Sequence, residues 1–315
     1  MIHLSHVHLG YVLAISAAAL AGLIHSVSKP LLSSAGPSTI EINPITLAAI
    51  IYLINGLFFS SIKKNTKFNN NISRKNLFIV ALIGVAEVTA LIMYFFGLKD
   101  ATATHAAILN NGEMIFTVLI AFTIFHERLQ KNELMPLSMI IVGIAILPTV
   151  YDFYNNGMTF TSLVLGDLLI LFSGVFFAVD INLCKYVSHR IDARKIIQLA
   201  SFTACGFALL LILILRIPFE INLSQIPSVI IVGLFGTGVS TFFFLISLRL
   251  LGSIRTILLY STTTTFGIIF ANMFLHETIS LSNVISIILV SIGIYLLRNR
   301  LGKSGVINKS IEAKS

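Results

Sequence analysis

Ten apolar runs, each close to the ~20 residues that span a hydrocarbon core, recur along the chain at about 9–31, 43–62, 77–98, 102–125, 135–151, 163–184, 196–217, 226–250, 252–274 and 280–297. No other feature restricts the fold so tightly. Hydrocarbon offers no water to bond with backbone groups, so only helices and closed barrels can cross it. A barrel would show shorter segments of alternating polarity, and these runs are long and continuously apolar. The expected fold class is therefore an all-α integral membrane protein with ten transmembrane helices. Composition agrees: 56% hydrophobic residues, 11% charged residues and a mean hydropathy of +0.94 lie far from the usual makeup of a soluble domain.

Charge sets the expected orientation. With the N-terminus inside, 18 of the 21 Lys and Arg fall on the inner side, leaving Lys29, Lys99 and Arg216 outside; the opposite orientation would invert the split. Both termini are thus predicted cytoplasmic, in a multi-pass protein of the cell membrane. The net charge of +8 belongs to loops and tail beside anionic headgroups, so the lipid bilayer is the expected partner and nucleic acid is not. The leader MIHLSHVH carries no Lys or Arg, and the following run is too long for a signal-peptide core. We read it as the first span. Cys184 and Cys205 fit buried small apolar residues better than a disulfide framework or metal site.

The chain also repeats itself. HERLQKNELMPLSMIIVGIAIL from His126 returns as HETISLSNVISIILVSIGIYLL from His276. That offset aligns Glu127 with Glu277, Gly143 with Gly293, Phe116 with Phe266 and Lys99 with Arg249. A slightly larger offset aligns Leu9, Gly10 and Lys29 with Leu165, Gly166 and Lys185. The domain reading is two five-helix units, 9–150 and 163–297, joined by a polar linker at 151–162 and followed by a basic cytoplasmic tail at 298–315. Five is odd, so the second unit would enter the membrane inverted, the geometry of alternating access in many secondary transporters.

Five plus five spans, Lys29 and Lys185 ending spans one and six, Glu127 and Glu277 closing spans four and nine, and Gly143 and Gly293 in spans five and ten resemble the EamA family of the drug/metabolite transporter superfamily. The resemblance covers nearly the whole chain. It implies a carrier of small organic molecules, amino acids and metabolites among them, often outward. It also favours some role for Lys29 and Lys185. Two departures stand out: His126 and His276 occupy positions where members commonly carry Gly, and GEMIF and TTTFG stand where Pro is expected.

Ionisable groups at membrane depth are costly, roughly 2.5–3.5 kcal/mol each at a helix centre, and suggest function by default. Glu87 and Glu113 sit at the midpoints of spans three and four. Asn110, Glu113 and Thr117 share a helical face, as do Glu87 and Tyr94. The repeat mates of Asn110 and Glu113 are Tyr260 and Thr263, so a polar face recurs without its carboxylate. These faces are expected to line a central cavity. Glu113 would recognise a substrate amine or carry a proton; alternatively it is a protonated carboxyl bonded to a neighbouring helix. Asp180 lies nearer the cytoplasmic end, where it could pair with Lys185 or water. His25 shares a face with Gly22 and Lys29 and reads equally as a satisfied core histidine. Asn111 either touches substrate or bonds across helices. Lys29 and Lys185 could bind an anionic group or simply snorkel from helix ends. Glu127 and Glu277 read best as caps of the next helix. The run Thr262–Thr265 can bond to its own helix carbonyls and soften span nine.

Neither HERLQ nor HETIS has the second His that a zinc protease helix requires, and no GxxxxGK[ST] run is present to cradle phosphates. No enzyme, cofactor or resident metal is expected. The leading reading is a secondary transporter of a small organic metabolite, exporter-like and open to proton coupling. The alternative is a divalent-cation carrier or channel using the midplane carboxylates. An intramembrane enzyme or scaffold leaves the duplication without purpose. A homodimer is compatible with the apolar surfaces.

Overall fold

A computed structural model describes residues 6–33, 41–62, 72–124, 135, 138–143, 162–281, 283–293 and 295–296. Among these the protein is all-helical, with no strand. Six helices are long and apolar enough to cross a membrane: α1 (His6–Leu32), α2 (Pro44–Ser61), α3 (Arg74–Asp100), α6 (Ser162–Ser188), α7 (Ala193–Leu215) and α8 (Leu223–Leu251). Each carries the continuous apolar stretch that hydropathy marks. Their starts also follow local chemistry: Asn43 caps α2 ahead of Pro44 at its first position, and Ser73 caps α3 through the Asn76 N–H.

Spans four and nine depart from the expected continuous helices. The first is divided into α4 (Ala103–Leu109) and α5 (Gly112–Ile124), the second into α9 (Ser253–Tyr260) and α10 (Thr263–Leu275). The breaks fall at Asn110–Asn111 and Ser261–Thr262, nearly matching places in the sequence repeat. Both use hydroxyl, amide or glycine residues that supply local bonds in place of the helical ladder. Tight i→i+3 bonds join Asn111 N–H to Ile108 O and Glu113 N–H to Asn110 O. In span nine the Thr262 and Thr263 hydroxyls donate back to the Leu259 and Tyr260 carbonyls at 2.7 and 2.5 Å. The threonines thus bond to the preceding turn as expected, and the helix does more than soften. Span eight is also irregular, widening to a π-type turn over Ile231–Val239, where Gly233, Gly236 and Gly238 relieve side-chain crowding. The final span appears as a short helix, α11 (Asn283–Gly293).

The main helix pairings join early to late parts of the chain: α3 with α6, α2 with α7, α1 with α8, α1 with α10, α3 with α7, and α5 with α6. Without a hydrophobic drive inside lipid, such contacts depend on close packing of small residues. Where α3 crosses α6, a Cβ added to Gly97 would lie 2.5 Å from the Gly166 carbonyl oxygen, and one on Gly166 would lie 2.8 Å from the Gly97 oxygen. Only glycine permits that approach. The outer surface is apolar, with Leu213 76% and Ile214 67% exposed, as lipid-facing side chains are.

Polar contacts collect at two ends. At one, Lys99 pairs with Glu41 at 2.7 Å. Here too Lys29 donates to the Leu98, Lys99 and Ala101 carbonyls at 2.9, 2.8 and 2.7 Å. At the other, Arg194 reaches the Ile62 carbonyl and lies 3.6 Å from Asp192, while Arg249 reaches the Ile191 carbonyl.

Candidate functional site

A cavity of about 100 Å³ lies between the early and late helices, bounded by α1, α2, α3, the α4–α5 break, α6, α8 and the α9–α10 break. Glu87, Glu113 and Asp180 all line it, on α3, α5 and α6. Glu87 accepts a hydrogen bond from the Tyr52 hydroxyl and is an electrostatic neighbour of Asp180, as is Glu113. Asp180 also accepts from Cys184 Sγ at 3.4 Å. His25 and Tyr94 reach the same space and bond to each other through His25 Nδ1. Tyr260 and Thr263 close it from the second broken helix, beside Asn110 from the first.

The two breaks meet. Thr264 Oγ1 donates to the Ala107 carbonyl at 3.0 Å, and Asn111 Nδ2 donates to Thr264 Oγ1 at 2.5 Å. Asn111 therefore bonds across helices and does not line the cavity. Paired interruptions of hydrophobic spans at corresponding positions are the arrangement by which transporters expose polar groups at membrane depth.

Comparisons with known proteins identify the family and the fold. A model of the EamA-like transporter family matches residues 8–149 and again residues 164–299. The chain belongs to the EamA family. A protein described as an uncharacterized transporter from Methanothermobacter thermautotrophicus is 29% identical over 303 residues, 91% of this chain and 85% of that protein. A second, also described as an uncharacterized transporter, from Archaeoglobus fulgidus, is 22% identical over 222 residues, 70% of this chain and 65% of its own length. A solved crystal structure shares the fold with a TM-score of 0.63 and 16% identity, covering 93% of this chain and 98% of its own. The EamA-family chain is thus a multi-pass membrane protein whose relatives are named as transporters.

Several expectations about individual side chains in this EamA-family chain change. Asp180 does not pair with Lys185, which is exposed and away from the cavity; the five-residue step between them carries the helix through about 1.4 turns, roughly 140° around its axis. Lys29 also lies outside the cavity lining, because its three N–H donors are engaged by carbonyls at the end of α3. Asn110 and Glu113 face the cavity from opposite sides of a helix break, not along one continuous face. Thr117 lies one turn beyond Glu113 on α5 but outside the cavity lining, its hydroxyl donating to the Glu113 carbonyl at 2.7 Å.

Glu277 caps a helix, but not the next one. Its carboxylate accepts from the Ala103 and Thr104 N–H groups at 2.8 Å each and from the Thr104 hydroxyl at 2.7 Å. It thereby holds the start of α4, more than 170 residues away. Its repeat mate Glu127 and the histidine beside it, His126, lie outside the described residues. Sequence reasoning missed Tyr52, Thr237, Thr241, Cys184, Phe177 and Phe244 as cavity residues. Each is an ordinary neutral residue within an apolar run, so only its placement distinguishes it. It also missed the buried His105–Asp167 pair, 3.3 Å apart on α4 and α6, which does not line the cavity.

Proposed function

We propose that this protein is a secondary active transporter of small organic metabolites, working by alternating access with the cavity as its solute site and protons as the coupling ion. The observation that carries this reading is the cavity itself, with three carboxyl side chains converging at membrane depth between helices from the two halves of the chain. A folded protein does not keep such groups in an apolar interior without compensation, and a transported solute or proton is one form of it.

Alternating access requires two related units that can rock against each other. The packing supports ten spans arranged as two inverted units. Under the sequence repeat, the pairing of α3 with α6 exchanges with that of α1 with α8, the pairing of α1 with α10 exchanges with that of α5 with α6, and α2 with α7 maps onto itself. The two intervals matched by the family model support the same boundaries. Glu277, reaching from the second unit to cap α4 in the first, is a contact that closes one end in this conformation. Orientation follows the charge distribution, with both termini cytoplasmic in the cell membrane. That places Lys29, Lys99 and Glu277 at the outer end.

The divalent-cation alternative lacks comparable support, since no three His, Cys, Asp or Glu among the described residues are grouped closely enough to hold a metal ion. The deciding experiment is counterflow in proteoliposomes over a panel of amino acids and small metabolites, with and without a pH gradient, comparing wild type with Glu113→Gln. Gradient-dependent exchange lost in the variant supports the reading. Solute movement unaffected by Glu113→Gln removes Glu113 from the site, and movement of divalent cations alone replaces the reading.

A further inference from the structure

Resting on the transporter reading, we propose that the cavity is built for a compact organic cation, an alkylammonium or quaternary ammonium group, and selects against anions. Three carboxyl side chains, Glu87, Glu113 and Asp180, line it, and among the described residues no Lys or Arg does. The two lysines that would suit an anionic solute, Lys29 and Lys185, are both outside the lining. Mutual repulsion of carboxylates in a low-dielectric space is relieved when a positive charge enters.

The acidic groups do not stand alone. His25 is 3% exposed and lines the cavity; its Nδ1 bonds with Tyr94, and its Nε2 has no partner. The Cδ2–Nε2 edge of the ring lies toward Gly267 of α10, where an added Cβ would fall 2.6 Å from Cδ2, so His25 borders the cavity as part of its wall. Aromatic rings complete the environment. Phe244 and Tyr260 form a corner, centroids 4.9 Å apart and planes at 60°, and both line the cavity. Ring faces of this kind attract ammonium groups, most strongly when desolvated.

A metal ion fits less well than an organic cation. A divalent ion draws six to eight oxygens to within ~2.6 Å of one point. No three His, Cys, Asp or Glu residues among the described residues are grouped closely enough to hold one. The carboxyls come instead from three separate helices, α3, α5 and α6, which suits an ion whose charge is spread over several atoms. A volume of about 100 Å³ is below the ~300–1,000 Å³ of ordinary ligand pockets, which favours compact ions.

The test is equilibrium binding to the purified full-length protein in detergent, by calorimetry, using tetramethylammonium and butylammonium against butanol, butyrate and magnesium. The expected result is saturable binding of both ammonium ions, at least tenfold tighter than butanol or butyrate, and weakened at least tenfold in Asp180→Asn. If Asp180→Asn does not fold, the charge series on wild type decides alone. Equal or tighter binding of butyrate, butanol or magnesium overturns the proposal. The two readings fail separately: ammonium binding without counterflow leaves the cation site and removes the transporter, whereas Glu113-dependent counterflow of an anion leaves the transporter and removes the cation site.

Discussion

Asp180 is the side chain whose role most depends on three-dimensional placement. Counting from the end of its span puts it within reach of Lys185, but the fold turns Lys185 outward and leaves Asp180 beside Glu87, Glu113 and Cys184. Asp180→Asn should therefore reduce transport at least about tenfold, about 1.4 kcal/mol, while Lys185→Ala should leave it within about twofold; initial rates in proteoliposomes check both. Tyr94→Phe should lower stability by about 1–3 kcal/mol, because it leaves His25 Nδ1 buried without its partner; a shift in the detergent melting midpoint measures this. Glu87 and Glu113 stand out in sequence because a charged residue in an apolar run is conspicuous. Tyr52, Thr237 and Thr241 do not, because neutral residues in such runs face lipid, protein or cavity with equal plausibility until the helices are placed.

At the scale of elements, the apolar lengths of α1, α2, α3, α6, α7 and α8 are readable from hydropathy because a membrane span needs little beyond length and apolar content. The breaks in spans four and nine are not. Asn110–Gly112 and Ser261–Thr262 carry no proline, and their local bonds compete with a helical ladder by a margin that sequence does not reveal. The cap on α4 shows the same limit: Glu277 is recognisable as a capping residue, while the helix it caps is set by long-range packing. Glu277→Ala should destabilise the protein by about 1–3 kcal/mol through loss of the bonds to Ala103 and Thr104, whereas Glu277→Gln should retain part of the cap; thermal unfolding of the two variants compares them. Gly97→Leu should cost about 1–3 kcal/mol or more by forcing α3 away from α6, seen as reduced yield of monodisperse protein and a lower melting midpoint.

For the whole molecule, the duplicated sequence, the reciprocal helix pairings and the paired breaks describe one arrangement: two related units enclosing a polar cavity. Their meeting at Ala107, Asn111 and Thr264 ties the breaks to each other. In the proposed alternating-access cycle, the end held by Lys29 and Glu277 is the end that releases when the cavity opens there. The most direct measurement of this account uses Thr241→Cys as the sole thiol, with Cys184→Ala and Cys205→Ala, in proteoliposomes of defined orientation. A membrane-impermeant thiol reagent is applied to one face at a time, with and without a counterflow solute. The account predicts modification from either face, slowed from both by the solute, because Thr241 lines a cavity that opens alternately. Modification from one face only, unchanged by solute, would contradict it.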